Sequence, residues 1–454
     1  MQSDAYTFSV ETVVEGLEHP WGMAFLPDGR FLVTERNPGT IRLGTADGAL
    51  SEPLIEVEDL FRPVGETGRS QAGLFDIKLH PDFDANGFVY WVYSRATERG
   101  SAVVVQRAVW DNAGSRLGTP EDVWVMQDAD QDASALHYGG RMAWLPDGTL
   151  VLSIGERRNL ERAQDLEDQA GGTIRMTADG EAPSDNPAWD DDADEYVYTT
   201  GNRNVQALAV NLSSGDLWAV DHGPFGGDEV NRLDGGNNYG WPWITGGVDY
   251  SGAPIGVGTQ REGMTSAVHI FDETVAPSGL TFVTNESQLD AWNGDMLVGG
   301  MVAEGIIRLS LDGDEIVDEE WIEIGRRIRD VHIHDGSIWV LTEHADGEVL
   351  RLRPGAGTSI GDARGDLSPV ELHPAYPDPF HATTRIQYSL AAPTHVSVEV
   401  YNVLGQRVET LQSNTQPTGD HTVEWDATNH ASGMYMVTLR ANDNTHVRTV
   451  VLAK

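Results

Sequence analysis

Apolar residues in this chain come in short runs, paired across tight turns and closed by a polar residue. AFLPDGRFLVTE (24–35), AWLPDGTLVLSIGE (143–156), AVNLSSGDLWAVDHG (209–223) and VHIHDGSIWVLTEH (331–344) all share that pattern. Asp-Gly between apolar runs predicts a hairpin, because glycine accepts the positive φ that such turns require. Weaker relatives occur at GDMLVGG (294–300) and IIRLSLDGD (306–314). A unit that recurs this often predicts a repeated β architecture. Six four-stranded units spread over about 350 residues average roughly 60 residues each, against roughly 40–50 for compact blade repeats. The surplus is loop, where binding and catalytic residues concentrate. A β-propeller is the expected fold, and a large array of β-sandwiches is the competing one.

The second strand of each hairpin ends in Glu35, Glu156, Asp221–His222 or Glu343–His344. Blades around one axis bring equivalent strand ends together, so these polar groups are expected to gather on one face. The style of the chain changes after residue 354. Residues 355–368, rich in Gly, Ser and Asp and flanked by Pro354 and Pro369, predict a linker. Over 369–454, TRIQYSL, HVSVEVYNVLG, HTVEWDA and GMYMVTLRA alternate apolar and polar positions. That alternation predicts a small antiparallel β-sandwich. The chain is therefore expected to be all-β, with a propeller over 1–354 and a sandwich over 369–454.

Charge narrows the possible partners. Acidic residues number 71 against 30 basic ones, a formal net charge of −41. Such a surface repels nucleic-acid phosphates and anionic lipid, so neither is an expected partner. Lys78 and Lys454 are the only lysines, and the remaining basic residues are arginines. That balance predicts a surface adapted to high salt, where self-repulsion is screened. Absence of cysteine excludes disulfide and thiolate chemistry. No apolar run approaches the roughly 20 residues needed to span a bilayer. The start, MQSDAYTFSV, lacks a signal-peptide pattern, which leaves a cytoplasmic protein or a removed leader.

Four stretches hold candidate chemistry. In LHYGGRMAW (136–144), His137 sits among glycines ahead of an apolar strand, where a loop can present its imidazole; a structural histidine is the plainer reading. In TTGNRNVQALAV (199–210), the Arg203 guanidinium and Asn204 amide suit a carboxylate or carbonyl, or else Arg203 pairs with a surface acid. In RRIRD (326–330), Arg327 and Arg329 alternate and so share a strand face. Two adjacent guanidinium groups call for an anion, either a neighbouring carboxylate or a polyanionic small molecule. Finally, DHGPFGGDEVN (221–231) offers three acidic side chains and accessible carbonyls, hard oxygen donors that suit Ca²⁺ or Mg²⁺.

Together these segments resemble the soluble PQQ-dependent sugar dehydrogenases, the aldose sugar dehydrogenase branch most closely. The resemblance covers nearly all of 10–355. It rests on HPWGMAFLPDGRFLVTER, QAGLFDIKLHPDF, HYGGRMAW, GGTIRM, GNRNVQALA, DHGPFGGDEVN, NNYGWP, VAPSGLTF and RIRDV in that order. It implies a six-bladed propeller binding pyrroloquinoline quinone (PQQ) and Ca²⁺, with an aldose substrate and an unidentified electron acceptor. His137 matches the general base that takes the proton of the sugar C1 hydroxyl as hydride passes to the C5 carbonyl carbon of PQQ. Arg203 matches the cation beside that carbonyl. Gln71, Asn204, Arg327 and Arg329 match cofactor-contacting positions. The carbonyls of Gly223 and Pro224 match ligands of the cofactor calcium, and Glu229 with the Tyr239 carbonyl matches a second, structural one.

Three positions depart from the family pattern. Leu136 replaces a polar residue before the base, Val302 a PQQ-touching lysine of the glucose-oxidising branch, and Phe225 an often polar or basic residue. The C-terminal segment, through HPAYPDPFHATTRIQYSL, VYNVLGQRV, HTVEWDA and SGMYMVTL, resembles sorting domains of type IX secretion substrates. That resemblance implies export by secretion machinery to the surface or medium, and favours a removed leader. The competing functions are a non-enzymatic propeller that binds protein or glycan, and a lactonase using metal-activated water.

Overall fold

The computed structural model describes residues 1–63, 70–189, 192–284 and 288–355. Beyond these it describes 370–372, 380, 382–390, 394–402, 407–431, 433–441 and 444–452. Six antiparallel sheets of four strands follow one another as propeller blades, the second carrying an extra two-residue strand. The Asp-Gly and Ser-Gly hairpins form the first two strands of the first, third, fourth and sixth blades. Pro20–Phe25 pairs with Phe31–Glu35, Met142–Trp144 with Leu150–Ile154, Val205–Val210 with Leu217–Asp221, and Ile328–His334 with Ser337–Thr342. Gly29 turns the first of these with φ +84°, the conformation that only glycine adopts without strain.

The second and fifth blades make the same turn differently. Leu74–Leu79 reaches Phe88–Thr97 through the short helix Phe83–Asn86, and Pro277–Phe282 reaches Met296–Gly300 through a longer connection. GDMLVGG therefore supplies one strand, not a hairpin. IIRLSLDGD opens the hairpin between the third and fourth strands, Gly305–Asp312 and Glu315–Glu323. The ring is closed by the N-terminus: Phe8–Leu17 pairs with Gly347–Pro354 as the outermost strand of the sixth blade.

First strands of neighbouring blades touch around the whole ring and line its axis. Between blades the core is aliphatic and indole-rich, with Trp91, Trp218, Trp292 and Trp339 fully buried. At the axis the buried Arg141 lies 3.0 Å from Asp330 and 3.6 Å from Asp76, its guanidinium 4.0 Å from the Trp21 ring centre. Removing one partner of a buried charge cluster strands the others. Arg141→Met is thus expected to destabilise the protein by about 3 kcal/mol, read from urea unfolding by tryptophan fluorescence.

The chain divides into two compact units, Met1–Gly357 and Thr358–Lys454. The linker expected at 355–368 lies, after residue 355, outside the described residues. In the second unit, Val370–Leu372, Thr383–Leu390 and Gly419–Asp426 form one sheet. Arg407–Gln416, Thr394–Asn402, Gly433–Ala441 and Asn444–Leu452 form another. Ile386, Tyr388, Val398, Trp425, Val437 and Leu439 share one core, and burial alternates along Thr383–Leu390 as its sequence predicts. Among the described residues no helix is long and apolar enough to cross a membrane.

Candidate active site

His137 sits in the loop that enters the third blade, buried, with a left-handed φ of 52°. Its backbone N–H donates to Gln71 Oε1 at 2.7 Å, and its Nδ1 lies 2.5 Å from Glu156 Oε2. Glu156 stands just past the second strand of the same blade, so the hairpin itself delivers carboxylate to imidazole. A carboxylate beside Nδ1 selects the tautomer with the proton there and leaves the Nε2 lone pair free. Burial lowers the His137 pKa below the usual imidazole value, and the charges of Arg203 and Arg158 add to that against the pull of Glu156. Burial would raise Glu156, but its hydrogen bond to His137 and the Arg158 amide prevail and hold it low. The pair is a neutral base on an ionised carboxylate.

Arg203 and Asn204 lie between the strands Val197–Thr200 and Val205–Val210, their backbone fixed by Asp221. Asp221 accepts from Arg203 N–H at 2.9 Å and Asn204 N–H at 2.6 Å. Arg203 Nη1 donates to the carbonyls of His222 at 3.0 Å and Gly223 at 2.7 Å, with its guanidinium 5.3 Å from the Trp241 ring centre. Its Nε is buried without a partner among the described residues. Asn204 Oδ1 accepts from Gly139 N–H at 3.1 Å, which ties the His137 loop to the Arg203 loop. Burial holds His222 neutral, its Nε2 donating to Pro277 O at 2.6 Å.

Beside these loops opens a cleft whose lining includes Gln71, Trp21, Arg36, Arg327, Arg329 and Glu343. Arg327 precedes the strand Ile328–His334 and Arg329 lies within it, and both face the cleft as their alternation predicts. Glu343 is the anion between them. It bonds Arg329, meets Arg36 at 3.0 Å and lies 3.9 Å from Arg327. Burial would raise Glu343, yet Arg329, Arg36 and Arg327 pull it to about 2. Burial pulls Arg329 down to about 10, and its Nε finds no partner among the described residues. Three guanidinium groups thus face one carboxylate in a chain of net charge −41. That surplus, with unpartnered buried N–H groups and the Trp21 ring, fits a flat polyanionic group such as PQQ.

In DHGPFGGDEVN two of the three acids serve the backbone. Asp221 holds Arg203 and Asn204, while Asp228 accepts from Gly223 N–H at 2.9 Å, Val275 N–H at 2.9 Å and Ala276 N–H at 2.8 Å. Gly227 leaves no room for a side chain: a Cβ there would lie 2.3 Å from Gly247 N. Among the described residues no three His, Asp or Glu side chains converge to hold a metal. Carbonyl oxygens remain as donors. Gly223 O receives Arg203 and keeps a second lone pair, and no described hydrogen bond reaches the buried Pro224 O. Burial raises Glu229 to about 8, and Asp221 and Asp228 push the same way, with Asn231 its hydrogen-bond donor at 3.0 Å. A cation there would favour the ionised form that burial and the neighbouring acids oppose, and with the free carbonyls the donor set fits Ca²⁺. The Tyr239 hydroxyl donates to Arg232 O at 2.6 Å, whereas no described hydrogen bond reaches the Tyr239 carbonyl, the atom matched to the second calcium.

Of the polar strand ends, Glu156, Asp221 and Glu343 gather at this site. Glu35 instead receives Glu18 N–H and Thr40 Oγ1. Sequence reasoning singled out Glu156 and Glu343 by position without their partners, and it missed Arg36, which directly follows a polar strand end. Leu136 turns its carbonyl to Arg157, while Val302 and Phe225 are exposed.

The Glucose / Sorbosone dehydrogenase family profile matches residues 17–351, and the Secretion system C-terminal sorting domain profile matches 374–453. An aldose sugar dehydrogenase of Escherichia coli K12 is 33% identical over 355 residues, 77% of this chain and 93% of that protein. A Synechocystis protein is 39% identical over 363 residues, 75% of this chain and 85% of the relative. The PQQ-bound aldose sugar dehydrogenase structure from Streptomyces coelicolor superposes with a TM-score of 0.62 at 28% identity, over 78% of this chain and 100% of that one. With its six blades and these relatives, the chain belongs to the glucose/sorbosone dehydrogenase family and carries a secretion-system C-terminal sorting domain over 374–453.

Proposed function

We propose that this protein oxidises aldose sugars at C1 to the lactone, using PQQ and Ca²⁺. The observation that carries this reading is the cationic cleft of Arg36, Arg327 and Arg329 beside a buried, neutral His137. The kinship with aldose sugar dehydrogenases and the PQQ-bound Streptomyces structure support it. When bound, PQQ supplies the carbonyl carbon that accepts hydride, and Ca²⁺ acts as a Lewis acid on it. His137 Nε2 takes the C1 hydroxyl proton, and Glu156 stabilises the imidazolium that results. Arg203 stabilises charge developing beside it. Gln71, Asn204, Arg327 and Arg329 orient the cofactor, and the Gly223 and Pro224 carbonyls hold its calcium. Glu229 and the Tyr239 carbonyl are assigned to a second, structural calcium.

The sorting domain implies export to the cell surface or medium. Electrons pass onward to an acceptor still to be identified. The acidic, lysine-poor surface is read as adaptation to high salt. Raising NaCl is accordingly expected to raise the melting temperature of the protein, by screening self-repulsion; a fall on adding salt would count against that reading.

Reconstitution with PQQ and Ca²⁺, followed by dye reduction with a panel of aldoses, tests the activity. Failure to bind PQQ would sink it. Calcium removal by chelator is expected to lower PQQ affinity and the melting temperature together, and Glu229→Gln to reduce the calcium-dependent part of the melting shift. A melting temperature indifferent to chelator would remove the structural ion from the scheme.

A further inference from the structure

The residue after Glu156 points back into the protein. Arg157 is 2% exposed in its side chain, and with Arg158 it forms a left-handed pair, φ 58° and 65°. Two consecutive non-glycine residues in that region are costly and persist where the surroundings enforce them. The turn sends Glu156 to the His137 imidazole and Arg157 to the backbone that precedes His137 and to the Tyr138 ring that follows it. Arg157 Nη1 donates to the Leu136 carbonyl at 2.7 Å and Nη2 to the Ser134 carbonyl at 2.5 Å. Its guanidinium lies over the Tyr138 ring, 3.4 Å from the centre, and the Tyr138 hydroxyl donates to the same Ser134 carbonyl at 3.0 Å.

A buried arginine in an acidic protein invites the reading of an ion pair with Asp132. The distances rank otherwise: Arg157 meets Asp132 at 3.3 Å from both Nε and Nη2, while Arg162 takes that carboxylate at 2.5 Å. The short bonds of Arg157 go to the carbonyls. A planar fork that binds two carbonyls while stacking on a ring is a task for arginine and not lysine.

We infer that Arg157 is a positioning residue, which clamps the Ser134–Tyr138 segment so that the His137 imidazole stays seated against Glu156. This rests on the reading of His137 as the base. His137 is itself left-handed, a conformation that persists only where its surroundings enforce it, and a base displaced by about 1 Å loses about 10²-fold in rate. Arg157→Met is expected to lower kcat of the reconstituted holoenzyme by about that factor, with KM and PQQ affinity little changed. In parallel, NMR of ¹³Cε1-histidine-labelled protein follows the His137 resonance, assigned by its loss in His137→Asn. The clamp predicts that this resonance shifts in Arg157→Met, and that added guanidinium, well below denaturing concentrations, restores both signal and turnover.

An unmoved His137 resonance overturns the proposal whatever happens to turnover, because loss of activity alone follows from any structural damage. Should Arg157→Met not fold, Arg157→Lys decides on the same readouts: a wild-type resonance and kcat there overturn the clamp. If His137→Asn keeps full turnover, the base assignment fails, while the resonance in the resting protein still judges the clamp by itself.

Discussion

Replacing His137 with Ala is expected to lower kcat with aldoses by about 10³-fold, the scale of a lost general base. PQQ affinity should change little, because Gln71 receives the His137 backbone N–H and not its ring. The pH dependence carries the sign. Only neutral imidazole accepts the proton, and burial holds His137 below its usual value, so wild-type activity should persist at neutral pH. Its acid limb should fall below the ordinary imidazole pKa of about 6.5. Glu156 pulls His137 the other way, upward. Glu156→Gln should therefore move the acid limb still lower while reducing kcat by about 10²-fold through loss of the imidazolium partner. Steady-state rates across pH 4–8, an assay range of about this width, decide the matter. Wild-type kcat in His137→Ala would pass the role to another group.

The repeat was legible because four blades spell their first turn with Asp-Gly or Ser-Gly between apolar strands. The helix Phe83–Asn86 and the long connection before Met296 hide the same turn in two others. Ring closure by Phe8–Leu17 left no local trace, since its partner strand Gly347–Pro354 is more than 300 residues away. The chemistry divides along the same line. His137, Arg203 and the arginine pair stand out as unusual residues in unusual loops. Their supports do not: Glu156 and Glu343 were visible as polar strand ends, but which charge each meets depends on neighbouring blades.

The acids of DHGPFGGDEVN show the opposite effect, where composition overstates. Three carboxylates in eleven residues look like a ligand cluster, yet both oxygens of Asp221 and of Asp228 accept from backbone N–H groups. Side-chain inventory cannot separate an acid that binds metal from one that shapes the loop around it. Here the loop-shaping acids leave carbonyls and Glu229 as the available donors.

Arg329→Gln and Glu343→Gln are expected to move PQQ binding in opposite directions, which separates attraction from support in the cleft. Arg329 is buried, and its loss removes a cation that lines the cleft and takes from Glu343 one of its buried partners, leaving Arg36. PQQ should bind about 10²–10³-fold more weakly, and the resting protein should lose about 3–4 kcal/mol, the cost of breaking a buried pair. Glu343→Gln instead frees Arg36, Arg327 and Arg329 for the carboxylates of PQQ, so affinity should rise about tenfold, or 1.4 kcal/mol. Its stability should nonetheless fall, because three guanidinium groups are left facing one another. The pH sign follows from Glu343 itself, held at about 2 against an ordinary 4.5. A depressed carboxylate contributes stability above its ordinary pKa and loses it as pH falls through the folded value. The melting gap between wild type and Glu343→Gln should therefore be full at pH values above 4.5 and close progressively toward 2. Isothermal titration with PQQ and melting curves across that window read both effects. Weaker PQQ binding in Glu343→Gln would mean that Glu343 aligns the arginines for the cofactor and does not compete with it.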